Sequence, residues 1–145
     1  FADADLASDP EHSRSTSGAF LVIVGPSTWM PISWMCCKQT STAKSTTEAE
    51  GVSLTTALLQ EAYPVLTLIE LLLGRDVTLR MKEDNTATIK VLKKGYSAKL
   101  RHVQRTHKLD LGLVKEAIED QGAILEHVET TKQAADVFTK DLPPN

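Results

Sequence analysis

A hairpin followed by a capped helix is the feature of this sequence that most constrains its fold. Two apolar segments, residues 19–24 and 31–36, have the composition and length of β-strands, and the turn-forming sequence at residues 25–28 joins them. Ser45 and Glu48 then stand three positions apart, which is the spacing of a capping box and predicts that a helix begins there. The chain therefore opens with strands, and a helix follows them.

Strands and helices alternate along the rest of the chain. Pro64 is expected to separate the first two helices, because a proline has no backbone N–H to donate inside a helix. The pattern predicts a first helix to about residue 62, further helices over 65–73, 85–94 and 109–121, strands over 77–84 and 124–128, a short helix from residue 130 and a tail at 142–145. An α/β fold with a mixed sheet, in one domain over residues 1–145, accounts for this order.

The chain is mildly acidic overall but contains one basic region, residues 85–109. The formal net charge is -3, which by itself argues against nucleic-acid binding. Within the basic region there is no Asp or Glu, and its cations are Lys90, Lys93, Lys94, Lys99, Arg101, Arg105 and Lys108. Two interpretations are open: a surface that binds phosphates, or a solvated helix face followed by a loop.

The cysteines and the apolar runs argue against disulfide-stapled and membrane-spanning proteins. Cys36 and Cys37 are neighbours that cannot easily bridge each other, and no Cys/His spacing matches a zinc site. Uninterrupted apolar runs, such as residues 19–24 and 71–73, are far shorter than the roughly 20 residues that cross a bilayer. We therefore expect a soluble intracellular protein that makes no membrane contact.

Four acidic residues occupy positions at which the hydrophobic pattern does not predict an acid. Glu48 and Glu50 are about 200° apart on a helix, and Glu50 heads the more apolar row, so Glu50 is expected to face inward and Glu48 to cap the helix. A cluster of carboxylates without a thiol or histidine ligand set suits Mg²⁺ or Mn²⁺. The alternative is that these acids are solvated or only support helix starts. The four acids are Asp3, Glu50, Asp84 and Asp136.

Other side chains are less informative. Asp3 and Asp5 would face the same side of a strand, and alternation alone does not choose between them. Trp29, Trp34 and Phe138 are interpreted as core residues and not as platforms for stacking bases.

A series of short motifs covers essentially the whole chain. The motifs are FADADLASD at residues 1–9, RSTSG at 14–18, PISW at 31–34, STTEAE at 45–50, EDNTA at 83–87, RHVQRTHKLDL at 101–111 and QAADVFTKDLP at 133–143. In order and spacing they closely resemble the ribonuclease H domain of copia-type retrotransposon polyproteins. The ordered series is far more specific than any single motif.

This resemblance implies a ribonuclease H-like fold, a mixed five-stranded sheet flanked by helices, and cleavage of the RNA strand of RNA/DNA hybrids during reverse transcription. It selects Asp3 over Asp5, and it implies that two Mg²⁺ ions, for which Mn²⁺ can substitute, are held by the catalytic carboxylates Asp3, Glu50, Asp84 and Asp136. The expected substrate contacts are Ser17, Asn85, Lys99, Arg101, His102, Arg105, His107 and Lys108.

The resemblance also implies a biological setting. The expected partners are the hybrid and a reverse transcriptase domain that precedes this one in a polyprotein, with no small-molecule cofactor. The expected location is the cytoplasm, within virus-like particles of the retrotransposon. We also expect a shortened first strand, with Phe1 at the boundary where the domain is excised from a longer chain.

Departures from the family pattern keep other functions open. The family usually has Trp where Leu6 stands and an aromatic residue where Gly51 stands. One alternative is a catalytically weak domain that binds the hybrid and positions it for the polymerase. Another is an integrase-like nuclease that cuts duplex DNA, against which the four-acid pattern with a helical Glu50 argues.

Overall fold

The structure is a computed structural model that describes residues 1–9 and 11–140, so the predicted tail at 142–145 lies outside it. The strands are β1 (Ala2–Asp5), β2 (Thr16–Gly25), β3 (Thr28–Lys38), β4 (Arg80–Glu83) and β5 (Ile124–His127). The helices are α1 (Thr46–Ala57), α2 (Tyr63–Leu73), α3 (Thr86–Lys94), α4 (Val103–Thr106) and α5 (Gly112–Gln121). A π-helical turn, Leu58–Ala62, joins α1 to α2, and 3₁₀ turns occupy Ala98–Leu100, Thr130–Lys132 and Ala134–Phe138.

The predicted hairpin is confirmed, and its strands are longer than the apolar pattern indicated. β2 and β3 pair antiparallel from Thr16 opposite Lys38 to Gly25 opposite Thr28, with one irregularity in register between Leu21 and Val22. The added residues continue the backbone ladder whatever the polarity of their side chains, and Thr16 and Ser17 at the start of β2 are buried.

The α/β class is confirmed, but the strands do not form one five-stranded sheet. β1, β2 and β3 make an antiparallel sheet in that order, while β4 and β5 form a separate parallel pair. β1 contacts β4, yet within residues 1–9 and 11–140 no hydrogen-bonded ladder joins them. Both strands have four residues, which is shorter than usual and leaves few backbone groups for a further ladder. β1 is short, as expected, and its excision from a longer chain stays a prediction.

Pro64 does not separate two helices, contrary to the prediction. Residues 46–73 form one helical stretch in which Leu58–Ala62 is a π-helical turn. In a regular α-helix the ring of Pro64 would clash with the carbonyl of residue 60. The π-turn occupies this place and lets the helix continue through the proline.

The continuous helix Thr46–Leu73 has 28 residues and contains an 18-residue window with a mean hydropathy of 1.3, so by length and composition it could cross a membrane. The search for uninterrupted apolar runs missed it, because polar residues are scattered through it. Its first half nevertheless belongs to the protein core, since Leu54 and Leu58 are both buried there.

The main core lies between α1, α3, α5 and the β4–β5 pair. Its deeply buried members include Leu54, Leu58, Leu92, Val103, Val114, Ala117 and Leu125.

The aromatic residues of β3 lie outside this core, contrary to the prediction. Trp29 and Trp34 are 59% and 65% exposed. β3 is the edge strand of its sheet, and Phe138 packs at 5.8 Å against Phe20 on β2 without covering either tryptophan.

Candidate active site

Three elements bring carboxylates together at one place. Asp3 lies on β1, Glu50 in the first half of α1, and Asp84 directly after β4. One oxygen from each residue lies within 4.8 Å of the others. Asp3 and Glu50 are each 6% exposed, and Asp84 is half-buried. Glu50 thus faces inward, as predicted, and three of the four acids selected from the sequence converge.

Local contacts fasten these elements to one another. The Ser53 hydroxyl, one turn after Glu50, donates a hydrogen bond to the Asp3 carbonyl oxygen at 2.6 Å and approaches that of Gly18 at 3.2 Å. Gly18 is required for close approach, because a Cβ there would lie 2.6 Å from Thr139 Cγ2. These contacts hold β1 and β2 between α1 and the last turn of the described chain.

Burial raises the pKa of two of these carboxyl groups, Glu50 and Asp3. It raises the pKa of Glu50 to about 7, although Thr88 Oγ1 donates a hydrogen bond to its carboxylate at 2.8 Å. Burial also raises the pKa of Asp3, opposed by a hydrogen bond from Thr139. Asp84 Oδ1 is buried without a hydrogen-bond partner among the described residues. A divalent cation would relieve this repulsion and desolvation, so the donor set fits a hard metal ion.

The fourth predicted ligand, Asp136, lies at the edge of this cluster and is not part of the converging group. Its carboxylate pairs with Lys140 one turn later. Its charge nevertheless contributes to the raised pKa of Asp3, which places it nearby. Asp5 is also outside the group, so the structure agrees with the choice of Asp3.

The sequence analysis missed Glu83, which is fully buried beside the cluster. Burial and the neighbouring Glu50 raise the pKa of Glu83 to about 9, so its neutral form is favoured at pH 7. Its Oε1 accepts a hydrogen bond from the Asn85 backbone N–H at 3.2 Å. The alternation that turns Met81 inward on β4 also turns Glu83 inward, and this signal was available in the sequence.

Glu48 is a second acid whose position was missed. Its backbone N–H donates to Ser45 Oγ at 3.2 Å, so the predicted cap by Ser45 is confirmed, but the Glu48 side chain turns inward and bonds the N–H of Lys44 in place of the Ser45 N–H of a capping box. Its side chain is fully buried. Oε1 lies 3.0 Å from His102 Nε2 and 3.3 Å from His107 Nε2, and Oε2 accepts from the Lys44 N–H at 3.0 Å.

This contact changes the interpretation of the two histidines. The imidazole of His107 is 1% exposed, while that of His102 is 27% exposed. A phosphate contact needs an exposed ring, so the inward position of His107 does not suit the predicted contact. Burial lowers the pKa of His107, and this outweighs the opposite effect of Glu48.

The other predicted substrate contacts fall into two groups. Ser17 is buried and accepts a hydrogen bond from Gln39 Nε2 at 2.9 Å, and Asn85 Oδ1 caps α3 by accepting from the Ala87 N–H at 2.8 Å. The remaining four are exposed and form no ion pair in the part of the chain described: Lys99, Arg101, Arg105 and Lys108.

Comparison with known proteins supplies a context for this site. The chain is 30% identical over 145 residues to the retrovirus-related Pol polyprotein from transposon RE2 of Arabidopsis thaliana, a match that covers 98% of the chain and 9% of the polyprotein. The chain is a homologue of part of such polyproteins. The transposon RE1 polyprotein of the same plant matches equally, and that of transposon TNT 1-94 of Nicotiana tabacum is 28% identical over 152 residues, covering all of the chain and 10% of the polyprotein.

The chain thus spans about a tenth of the length of these curated relatives. No family model and no solved structure matches it. The retrotransposon polyprotein origin is therefore supported by sequence, while the chemistry has to be argued from the site.

Proposed function

We propose that this chain is the ribonuclease H domain of a retrotransposon Pol polyprotein and hydrolyses the RNA strand of RNA/DNA hybrids. The observation that carries the proposal is the convergence of the Asp3, Glu50 and Asp84 carboxylates from three separate elements. Homology to retrovirus-related Pol polyproteins supports it. The reverse transcriptase domain of the same polyprotein is the proposed partner, and virus-like particles in the cytoplasm are the proposed location.

The donor set fits Mg²⁺, with Mn²⁺ as a substitute, because all three side chains offer hard oxygen ligands. A bound ion of this kind supplies an activated water and stabilises the leaving oxygen of a phosphodiester. Around it, Thr88 orients the Glu50 carboxylate and Ser53 fixes the backbone of Asp3. Asp136 is the proposed fourth ligand, because Lys140 pairs with its Oδ2 while its Oδ1 is buried without a hydrogen-bond partner among the described residues.

The exposed cations of the basic region would hold the hybrid. Lys99, Arg101, Arg105 and Lys108 project into solvent without an acidic partner among the described residues. Contacts from such side chains to phosphates release counterions, so hybrid affinity should fall steeply as salt concentration rises. Distinction of RNA from DNA would rest on contacts to the 2′-hydroxyl.

The test is cleavage of a hybrid with labelled RNA in Mg²⁺ or Mn²⁺. The wild type should cut the RNA, and Asp84→Asn should lower the rate more than about 100-fold, since even partners of metal ligands are worth 10–100-fold. Hybrid binding should persist in this variant, because Asn85 and not Asp84 caps α3. Asp120→Asn, an exposed acid on α5, is the matched control and should leave the rate unchanged.

The position of Asp136 outside the converging group favours a second candidate, a domain that binds the hybrid without cutting it. Hybrid binding by a wild-type protein that cuts nothing in either metal would select that candidate. Cleavage of duplex DNA would instead indicate an integrase-like nuclease.

A further inference from the structure

The cluster formed by Glu48, His102 and His107 has no part in the proposed chemistry. Glu48 is fully buried, and a single oxygen of its carboxylate lies against both imidazoles. Burying a carboxylate costs free energy unless several partners surround it. Here the hydrogen-bond partners are His102 Nε2 and the Lys44 N–H, while His107 Nε2 lies 3.3 Å from the same oxygen as His102 without hydrogen-bond geometry.

The cluster connects the helix that carries the proposed metal ligand Glu50 with the cationic stretch that would bind the hybrid. Glu48 is two residues before the metal ligand Glu50 in α1. His102 and His107 immediately precede and follow α4 (Val103–Thr106), the middle of the exposed cationic stretch. His102 is therefore hydrogen-bonded to the first turn of α1 at the start of α4, and the buried His107 packs against the same carboxylate at its end.

Two other contacts support this attachment. The Ser41 hydroxyl, in the loop before α1, donates a hydrogen bond at 2.6 Å to the carbonyl oxygen of Thr106. Val103 is 1% exposed and belongs to the main core. The inner side of α4 is thus held, while Arg101, Arg105 and Lys108 remain exposed around it.

We propose that Glu48 is a positioning residue that, through His102 and His107, fixes the cationic stretch around α4 relative to Glu50. A hybrid held by these cations is then placed with one phosphodiester at the Asp3, Glu50 and Asp84 carboxylates. This inference rests on the proposed function and assigns Glu48 a role in substrate placement. Misplacement of a reacting group by about 1 Å can cost on the order of 100-fold in rate.

The experiment separates hybrid affinity from cleavage rate. Affinity is measured without divalent ions, and cleavage is measured in single turnover at saturating hybrid with Mg²⁺. Glu48→Ala should lower the saturated rate at least about tenfold and spread the cuts over several RNA positions. Its affinity should change less than about threefold, because the exposed cations that contact phosphates remain.

Two variants sharpen the result. Glu48→Gln keeps an oxygen that accepts from an imidazole N–H, so it should restore the wild-type rate and cutting pattern. Arg105→Ala should instead weaken the affinity and reduce its salt slope by about 1. If Glu48→Ala does not fold, His102→Ala, at a half-buried position, should show the same loss of rate with retained affinity.

The outcomes that contradict the inference differ from those that contradict the proposed function. A wild-type saturated rate in Glu48→Ala, or equal defects in Glu48→Gln and Glu48→Ala, would overturn the positioning role alone. A wild type that cuts no hybrid would overturn both.

Discussion

The two halves of the helix over residues 46–73 are built in opposite ways. In α1 the polar residues Glu48, Ser53 and Thr55 are fully buried. In α2 no residue is buried, and Leu71 and Leu72 are 79% and 71% exposed. From hydropathy alone, one would expect α2 to be buried and the polar residues of α1 to be exposed. The difference shows that position relative to the sheet and the candidate site, and not the polarity of a side chain, decides what this helix buries.

The polar interior of α1 is stable because its hydroxyls have partners. Ser53 donates to the Asp3 carbonyl oxygen at 2.6 Å, and Thr55 donates to the Gly51 carbonyl oxygen at 2.8 Å. Buried polar groups are tolerated when they are hydrogen-bonded. The Ser53 bond also fixes the strand that carries the proposed metal ligand Asp3, so this polar residue links packing to the site.

The largest expected effect on stability distinguishes a buried leucine of α1 from an exposed leucine of α2. Leu54→Ala in α1 should lower the free energy of unfolding by about 2–5 kcal/mol, because it leaves a cavity among buried residues. Leu71→Ala in α2 makes the same change at an exposed position and should shift it by less than about 0.5 kcal/mol. Chemical denaturation of both variants measures the difference. Equal losses would show that α2 is packed in solution.

The next largest effect is a pH dependence of the free energy of unfolding, which arises from Glu50 in α1. The pKa of Glu50 is raised from 4.5 to about 7 in the folded chain, so the folded state binds this proton more tightly than the unfolded state. The contribution of neutral Glu50 to the stability of the metal-free protein should therefore be fully present below pH 4.5 and be lost as the pH rises through 7. Glu83, with its pKa near 9, extends the decline.

Thermal unfolding across pH measures this dependence. Glu50→Gln should flatten the decline between pH 4.5 and 7, because the side chain no longer titrates. Mg²⁺ should raise stability above pH 7, where the carboxylates are charged. A metal-free protein whose stability rises through that interval would contradict the assigned burial of Glu50.

A smaller difference in stability is expected between variants that remove a side-chain hydroxyl from α1 and from α2. Ser53→Ala in α1 should cost about 1–3 kcal/mol, because it removes the donor for a buried carbonyl oxygen of Asp3. Thr67 in α2 also bonds a carbonyl oxygen, that of Tyr63, but it is exposed. Thr67→Ala should change stability by less than about 0.5 kcal/mol. A cost for Thr67→Ala as large as that for Ser53→Ala would contradict the comparison.

Local signals predicted the parts of the fold that depend on neighbours in sequence. Asn85 caps α3 and Gly95 ends it in the left-handed conformation, as the pattern indicated. Ser45 likewise caps α1. The predicted break at Pro64 was wrong, because a proline indicates the end of an α-helix but does not indicate a π-turn that accommodates it.

The candidate site was predictable only in part. Asp3, Glu50 and Asp84 followed from the family pattern together with helix geometry, and alternation on β4 contained the signal for Glu83. The orientation of Glu48 had no local signal, since its partners His102 and His107 are 54 and more residues away in the chain. Pairings of that kind arise from tertiary packing, which single-sequence periodicity does not report.

The smallest expected effect compares two glycines, one in the interior of α1 and one at the end of α2. A Cβ at Gly51 would lie 3.5 Å from Leu111 Cδ2, an ordinary van der Waals contact. Gly51→Ala should therefore stabilise the protein by about 0.4–1 kcal/mol, because alanine loses less backbone entropy in a helix. Gly74 has open space around it but a φ of +63°, which an alanine adopts only with strain, so Gly74→Ala should destabilise by a similar amount. Urea denaturation of the two variants should thus give changes of opposite sign, and a loss of stability in Gly51→Ala would mean that α1 packs against Leu111 and Leu92 more tightly than these distances indicate.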